Sequence, residues 1–218
     1  MPGELNPLEH VIYKLRNAKV ETYPYPHFFV KDVFPTDFYW KLRKNLPKEE
    51  DYTGAIDHYE NRKFAVAADE ALAPFKTSYF AQQVLGVFHE WCLKRFPAGS
   101  GNFETEWRLV RDSKGYAIGP HTDAPWKVVS LLFYLPIDHS DPECGTSVFV
   151  PKDHQFTNVG GPHFSNEGFS KAFTAPYVPN SVFGFWKTDN SWHGVDEIQR
   201  KIQRDVLLYN IYEAGVRK

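Results

Sequence analysis

Apolar residues in the first hundred positions recur mainly at the three-to-four spacing that is typical of amphipathic helices. This spacing, with flanking prolines and glycines, predicts three helices: residues 7–18, a helix that starts at 35–37 and runs through 38–46, and residues 77–96. Short strands are predicted near residues 28–30 and 63–67, and the rest of residues 48–73 is expected to form loops. Residues 1–103 are therefore predicted to be a helical support region with loops.

From residue 104 onward the pattern changes to short apolar runs separated by turn residues. Seven strands are predicted: residues 105–110, 116–121, 128–135, 145–150, 173–176, 181–186 and 206–212. Residues 112–115 (Asp-Ser-Lys-Gly) form a strong turn signal, and residues 138–144 and 156–171 are predicted loops. Short strands at such intervals are typical of a β-sandwich or barrel, so residues 104–218 are predicted to form the β core of one structural domain.

Composition excludes several classes of protein. With 42% hydrophobic and 17% aromatic residues among 218, the chain can bury a large core. The net charge of −2, with scattered basic residues, argues against nucleic acid or a membrane surface as partner, and no apolar run approaches the ~20 residues that span a bilayer. The first residues lack a signal-peptide pattern, so a cytoplasmic location is expected. Cys92 and Cys144 are too few for a disulfide framework or a thiolate metal site. Nothing in the sequence indicates an oligomeric state.

A histidine and an aspartate two positions apart, His121 and Asp123, are the main candidates for chemistry. In an extended strand both side chains point to the same face, about 7 Å apart along the backbone. His193, which lies between two apolar runs, is our candidate for a third ligand. Two histidines and one carboxylate can form a facial triad, which leaves coordination positions open and suits non-haem Fe(II). His154 is the best of the remaining histidines as an alternative ligand.

These residues and their surroundings resemble the Fe(II)/2-oxoglutarate-dependent oxygenases, in particular the prolyl-4-hydroxylase-like group. The resemblance spans roughly residues 104–213 and includes three further segments: Lys-Val-Val-Ser-Leu-Leu-Phe-Tyr-Leu at 127–135, Gly-Thr-Ser-Val-Phe at 145–149, and Pro-Asn-Ser-Val at 179–182 leading to His-Gly-Val at 193–195. It implies a double-stranded β-helix (jelly roll) core backed by N-terminal helices, with His121, Asp123 and His193 as catalytic metal ligands. It also implies Fe(II), the cosubstrate 2-oxoglutarate and O2 as cofactors.

In this family a basic residue about ten positions after the distal histidine binds the far carboxylate of 2-oxoglutarate. Arg204 lies eleven positions after His193, which leaves Arg200 and Lys201 as competitors. Strand alternation favours Arg204, because it shares one face with the apolar residues of the last predicted strand, whereas the other two fall in a polar connection. The planar fork of a guanidinium also suits a buried carboxylate.

Further candidates surround these residues. Ser130 and Tyr134 are candidate hydroxyl donors to 2-oxoglutarate, and Lys127 either matches a basic residue often found before this strand in the family or is a solvated flank. Candidate substrate contacts are Tyr59, Arg62, Lys63, Trp107, Arg108 and Trp126. The loop 156–171, rich in Gly and Asn, is expected to fold over the site and to be mobile without substrate.

The resemblance implies an enzyme that converts 2-oxoglutarate to succinate and CO2 and oxidises an unactivated C–H bond. Asp123 stands where halogenases of this class have a small residue, so hydroxylation is favoured, with desaturation or cyclisation left open. Because no peptide-binding module is apparent, a small molecule such as an amino acid or a biosynthetic intermediate is the expected substrate. The alternatives are a hydroxylase of a peptidyl residue and a non-redox, cupin-like module in which the same ligands hold Zn(II).

Overall fold

The computed structural model describes residues 6–54, 61–67, 70–97 and 101–216. The α-helices are α1 Pro7–Arg16, α2 Thr36–Lys44, α3 Ser78–Val87 and α4 His89–Arg95. The strands are β1 His27–Lys31, β2 Arg62–Val66, β3 Phe103–Asp112, β4 Ile118–His121, β5 Lys127–Tyr134, β6 Thr146–Pro151, β7 Phe169–Ala175, β8 Ser181–Trp186, β9 His193–Val195 and β10 Arg204–Glu213. Short 3-10 helices are Glu49–Asp51, Glu70–Phe75, Pro142–Cys144 and Asn166–Gly168. None of the helices in the described ranges combines the length and apolar character of a membrane span.

The predicted helix over residues 77–96 is in fact two helices, so that prediction is wrong in its continuity. Thr77 caps α3, its side chain accepting the backbone N–H of Phe80 at 3.2 Å. The break falls at Phe88, whose φ of −106° and ψ of 34° are not helical. Phe88 is buried and packs on the rings of Phe28 and Trp186. Because the apolar stripe continues through this residue, the hydrophobic pattern carries no sign of the break.

Two antiparallel sheets form the body of the protein. The larger has six strands in the order β1-β8-β5-β10-β3-β2, and the smaller has four in the order β4-β9-β6-β7. The prediction of a mostly β protein with N-terminal helices is confirmed. The N-terminal region does more than support the core, because β1 and β2 form the two edges of the larger sheet. Strand β9 was not predicted, since its three residues are too short to show a period.

The two faces of the larger sheet pack against different partners. Strand alternation turns Leu207 and Tyr209 of β10 toward the helices and Val206 toward the smaller sheet. On β3 the same alternation places Trp107 in the helix-facing core, where its ring lies 4.5 Å from that of Tyr209, and Val110 in the inter-sheet core. The predicted contact of Trp107 with substrate is therefore not supported by its packing on the helix side. The candidate site lies on the inter-sheet side.

Candidate active site

His121, Asp123 and His193 come together at one end of the smaller sheet. His121 is the last residue of β4, His193 is the first residue of β9, and the two are direct partners in the antiparallel pair. Asp123 lies two residues beyond the end of β4, in the irregular segment before β5, so β4 ends at the predicted residue 121 and does not itself include Asp123. One potential donor atom from each of the three side chains lies within 4.8 Å of the other two. Their role as metal ligands stays a prediction, which this geometry supports.

Backbone carbonyls orient both imidazoles. Nδ1–H of His121 donates to the carbonyl oxygen of Gly119 at 2.9 Å, and Nδ1–H of His193 donates to that of Ser191 at 2.8 Å. Since a carbonyl can only accept, each ring carries its proton on Nδ1 when neutral and keeps a lone pair on Nε2. Burial lowers the pKa of both residues, that of His121 well below its usual value. Both rings are therefore neutral near pH 7, the form that binds a metal ion.

The carboxylate of Asp123 is held by two donors. Nζ of Lys127 lies 2.9 Å from Oδ1, and the hydroxyl of Ser130 donates to Oδ2 at 2.7 Å. Burial by itself would raise the pKa of Asp123, but the charge of Lys127 and its hydrogen bond to the carboxylate outweigh it and lower the pKa. Ser130 thus contacts the candidate metal ligand, whereas the sequence predicted a contact with 2-oxoglutarate. Lys127 lines the cavity and is not a solvated flank.

This donor set fits a divalent metal ion. Two neutral imidazoles and one ionised carboxylate bring their ligand atoms close together, and this ligand composition suits Fe(II) with open positions for other ligands. His154, the alternative ligand, is exposed and does not belong to this group. The residues present therefore support the predicted metal, and no replacement among the other described histidines is needed.

The three residues face a cavity of about 100 Å³ between the two sheets, and Arg204 lines the same cavity. Arg204 begins β10, and Val206, Leu208 and Asn210, which share its face, line the cavity as well. Apolar side chains form much of the remaining wall: Val110, Tyr116, Ile118, Leu132, Phe185 and Val195. The cavity thus places the candidate metal ligands and one buried cation around the same apolar space.

Arg204 is only 1% exposed, and its fork is largely occupied by protein groups. Nε donates to the carbonyl oxygen of Cys144 at 2.5 Å, and Nη1 donates to Oδ2 of Asp112 at 2.6 Å. Nη2 is buried and has no hydrogen-bond partner among the described residues. Arg200, in contrast, is exposed and pairs with Asp141, and Lys201 is exposed. Of the three basic residues considered, the structure brings Arg204 to the cavity.

Tyr134 lies behind the cavity wall and contacts the lining residue Thr146. It is fully buried, and its hydroxyl donates to Oγ1 of Thr146 at 2.7 Å while accepting the backbone N–H of Thr146 at 3.0 Å. Among the described lining residues Thr146 appears and Tyr134 does not. Since Oγ1 of Thr146 is an acceptor in this bond, its own proton is available for a ligand. The structure thus places the hydroxyl of Thr146 at the cavity in place of that of Tyr134, and Thr146 lies in a segment that resembles the family.

The other predicted substrate contacts divide into four groups. Arg62 lines the cavity. Arg108 pairs with Glu106 at 2.8 Å and Trp126 is partly buried, but neither lines the cavity within the described part of the chain. Lys63, on the opposite face of β2, pairs with the exposed Glu49. Tyr59 lies outside the described residues.

The predicted loop 156–171 is shorter than expected, because its last six residues form a 3-10 turn and the start of β7. The remaining segment is tied to residues 120–122, next to the first two candidate ligands. The hydroxyl of Thr122 donates to the carbonyl oxygen of Asn158 at 2.7 Å, and the backbone N–H of Phe164 donates to that of Pro120 at 2.9 Å. The segment therefore lies against the candidate site, and its role as a cover stays a prediction.

Aromatic residues hold the loop on the protein and bring a further histidine to the site. The rings of Phe156 and Phe164 pack at 5.2 and 5.5 Å from that of Trp192, which is fully buried next to His193. The ring of His163 lies 4.6 Å from that of His121. A histidine between two loop aromatics offers no sequence pattern of its own, so its position depends on the folded loop.

No protein-family model matches the sequence, and no curated protein matches it. Solved structures are similar in fold. A prolyl-4-hydroxylase from Pseudomonas putida has a TM-score of 0.59 and 15% identity, over 94% of this chain and 98% of that one. HygX from Streptomyces hygroscopicus, with nickel, 2-oxoglutarate and hygromycin B bound, has a TM-score of 0.54 and 13% identity, over 87% and 83%. The epimerase SnoN, in complex with Fe3+, α-ketoglutarate and nogalamycin RO, has a TM-score of 0.52 and 14% identity, over 95% and 84%. At these identities the likeness establishes the architecture, and the chain has the two-sheet jelly-roll fold of the Fe(II)/2-oxoglutarate-dependent oxygenases.

Proposed function

We propose that this protein is an Fe(II)- and 2-oxoglutarate-dependent dioxygenase that hydroxylates an aliphatic C–H bond of a small molecule. One observation carries the proposal: a two-histidine, one-carboxylate group and the buried, incompletely bonded guanidinium of Arg204 line the same cavity. A cation site and an anion site this close together suit a ligand that chelates a metal at one end and carries a carboxylate at the other, as 2-oxoglutarate does.

His121, Asp123 and His193 would hold Fe(II), which, with 2-oxoglutarate and O2, supplies oxidation of the C–H bond coupled to release of succinate and CO2. The chain's own residues bind and orient. Arg204 presents Nη2 to the far carboxylate, and the hydroxyl of Thr146 adds a donor beside it. The apolar wall excludes water from the reacting atoms, which strengthens these charged contacts.

In the non-redox alternative, a cupin-like module holding Zn(II), Arg204 would have no anionic ligand to bind in the cavity. A purely structural arginine would have all of its donors satisfied, because a buried unpaired N–H is costly. Nη2 is buried without a partner among the described residues, and this favours a site that awaits an anion.

A small-molecule substrate is supported by the narrow cavity and by its cover, the loop that the bond from Thr122 ties down. The structurally similar HygX and SnoN are described with hygromycin B and nogalamycin RO bound, which are small molecules. A peptidyl substrate, suggested by the similarity to a prolyl-4-hydroxylase, would have to thread an extended chain past the same loop. We therefore propose an amino acid or a biosynthetic intermediate as the class of substrate.

The test is succinate formation from 2-oxoglutarate. Purified protein loaded with Fe(II) should form succinate slowly in air without substrate, and faster when a small-molecule library contains the substrate. Metal-free protein and protein loaded with Zn(II) serve as controls and should form none. Absence of succinate with Fe(II), together with a metal-dependent activity that persists with Zn(II), would favour the non-redox alternative.

A further inference from the structure

Three charged residues lie side by side across the larger sheet. Arg204 at the start of β10 is the direct partner of Asp112 at the end of β3, and Asp112 is in turn the direct partner of Arg62 at the start of β2. Their order is therefore cation, anion, cation over three neighbouring strands. Arg62 and Arg204 both line the cavity, whereas Asp112 lies between them and is fully buried.

Hydrogen bonds lock this row together. The carboxylate of Asp112 accepts Nε of Arg62 at 2.6 Å and Nη2 of Arg62 at 2.9 Å, and it also accepts Nη1 of Arg204 at 2.6 Å. The ring of Tyr116 lies under Arg62, 4.2 Å from the carbon at the centre of the guanidinium. On the other side, the carbonyl oxygen of Cys144 fixes Nε of Arg204. With Nε and Nη1 fixed, the planar fork of Arg204 has one orientation.

Arg204 keeps one donor for an anion. The carbonyl oxygen of Cys144 and the carboxylate of Asp112 take Nε and Nη1, whereas Nη2 is buried without a hydrogen-bond partner among the described residues. A buried N–H without an acceptor is costly, and a ligand carboxylate at Nη2 of Arg204 would supply that acceptor.

We propose that Asp112, braced by Arg62, is a positioning residue that holds Nη2 of Arg204 toward the far carboxylate of the cosubstrate and thereby sets the preference for a dicarboxylate. This inference rests on the proposed function. It also gives Arg62 a role in the cosubstrate site, because two of its nitrogens are bonded to Asp112. The sequence interpretation had assigned Arg62 to the substrate.

Positioning and simple charge balance predict opposite results for Asp112→Asn. This change keeps the shape of the side chain but removes its negative charge, so the net positive charge next to the cavity rises by one unit. If charge alone governed binding, 2-oxoglutarate would bind more tightly to the variant. If Asp112 acts by orienting Arg204, the weakened bond lets the fork turn and 2-oxoglutarate binds less tightly.

The measurement compares two ligands on the metal-loaded protein by anaerobic titration calorimetry. One is 2-oxoglutarate, and the other is 2-oxopentanoate, which has the same chain length and metal-chelating end but no far carboxylate. We expect Asp112→Asn to weaken 2-oxoglutarate binding about tenfold, the usual scale for loss of a charge-assisted hydrogen bond. Binding of 2-oxopentanoate and of the metal should change less than about twofold, since neither involves the far carboxylate.

Asp205→Asn is the matched control. Asp205 follows Arg204 on β10, is similarly buried, and pairs with Arg111 at 2.7 Å, but it faces away from the cavity. Its loss should lower the melting temperature without changing the ratio of the two affinities. Arg62→Gln provides a second test should Asp112→Asn fail to fold, and it should lower the preference for 2-oxoglutarate about threefold, because Asp112 then loses its brace.

The outcomes separate this inference from the proposed function. An unchanged or increased preference for 2-oxoglutarate in folded Asp112→Asn, or in Arg62→Gln if the first variant does not fold, would overturn the positioning role while leaving the dioxygenase proposal intact. Equal affinity of the unaltered protein for both ligands would overturn both, because Arg204 would then bind no carboxylate.

Discussion

The two charged groups that share the cavity are assembled in different ways. The candidate metal ligands come from two strands of the smaller sheet and the segment directly after β4, and two of them, His121 and Asp123, are only two positions apart in the sequence. The row of Arg204, Asp112 and Arg62 comes from three neighbouring strands of the larger sheet, and strand register alone brings its members together. The first group is a local motif completed by one distant residue, whereas the second has no counterpart in the linear sequence.

The two groups also differ in the charge of the ligand that each one suits. Around Asp123, neutral imidazoles and a carboxylate leave a place for a cation, and Lys127 balances the carboxylate. In the row of Arg204, Asp112 and Arg62, Nη2 of Arg204 is buried without a partner among the described residues and suits an anion. A cavity with complementary sites of opposite sign selects a ligand set in which a metal ion and a carboxylate occur together.

The largest effect is expected at the metal site. His121→Ala, Asp123→Ala and His193→Ala should each abolish Fe(II)-dependent succinate formation and leave the circular dichroism spectrum largely unchanged, because each removes one of only three protein ligands. His154→Ala, at an exposed histidine outside the group, is the control and should keep full activity. Retained turnover in His193→Ala would refute the triad and return His154 and His163 to consideration as ligands.

Arg204→Ala should have the next largest effect, confined to the anion site. Removing the cation from a buried carboxylate pair typically costs ~3–5 kcal/mol, so half-saturation by 2-oxoglutarate should rise at least about a hundredfold. Metal affinity should change little. Arg200→Ala, at an exposed arginine that pairs with Asp141, is the control and should be nearly silent. Loss of binding in Arg200→Ala but not in Arg204→Ala would contradict the assignment.

Lys127→Met tests the balance of charge at the metal site. The side chains of Lys127 and Asp123 are only 19% and 12% exposed, so the metal-free variant should lose about 1–3 kcal/mol of stability through an unbalanced carboxylate. Metal should bind more tightly, by about three- to tenfold, because a positive charge next to the ligand is gone. Thermal melting with and without metal, and equilibrium dialysis, measure both effects.

Lys63→Met is the matched control for this substitution. Lys63 pairs with Glu49 near the surface, and both side chains are about half exposed, so the stability and the metal affinity should stay nearly constant. Weaker metal binding in Lys127→Met would show that the ammonium supports the metal-bound carboxylate instead of competing with the metal.

The smallest effect is expected in the loop over the site. Gly160 and Gly161 have φ values of +133° and +125°, and a Cβ on Gly160 would lie 2.5 Å from the carbonyl oxygen of Asp123. This close approach couples the loop to the metal site, so amide exchange over residues 157–163 should slow several-fold when substrate binds. Equal exchange with and without substrate would rule out a lid, and the amides of β5 serve as the internal reference.

Much of the fold could be predicted from the sequence because strand alternation and helical spacing are local. The predicted strand over residues 181–186 has the bounds of β8, and the strand over residues 128–135 differs from β5 by one residue at each end. Failures occurred where local signals were ambiguous or absent. Residues 112–115 have the composition of a turn, so Asp112 was assigned to it, but the structure pairs Asp112 with two strands as the last residue of β3.

Assignment of side chains to the cavity was less successful, for one physical reason. Alternation shows that Trp107 and Arg108 lie on opposite faces of β3, but it does not show which face meets the helices. Trp107 packs in the helix-facing core, and Tyr134 contacts the cavity only through Thr146. The positions of Trp107 and Tyr134 depend on which sheet or helix packs against each face of the larger sheet, and this is decided by the packing of the layers.

The sequence by itself therefore determined the elements that repeat locally: most strands, the helical N-terminal region, the pair His121 and Asp123, and the family resemblance that named His193 and Arg204. Only the tertiary structure decided how these elements meet. It brought His193 opposite His121, placed Lys127 and Ser130 on the two oxygens of Asp123, and aligned the arginine row across three strands. The reason is that hydrophobic periodicity depends on neighbours within a few residues, whereas a charged site depends on the register of strands that are distant in the chain.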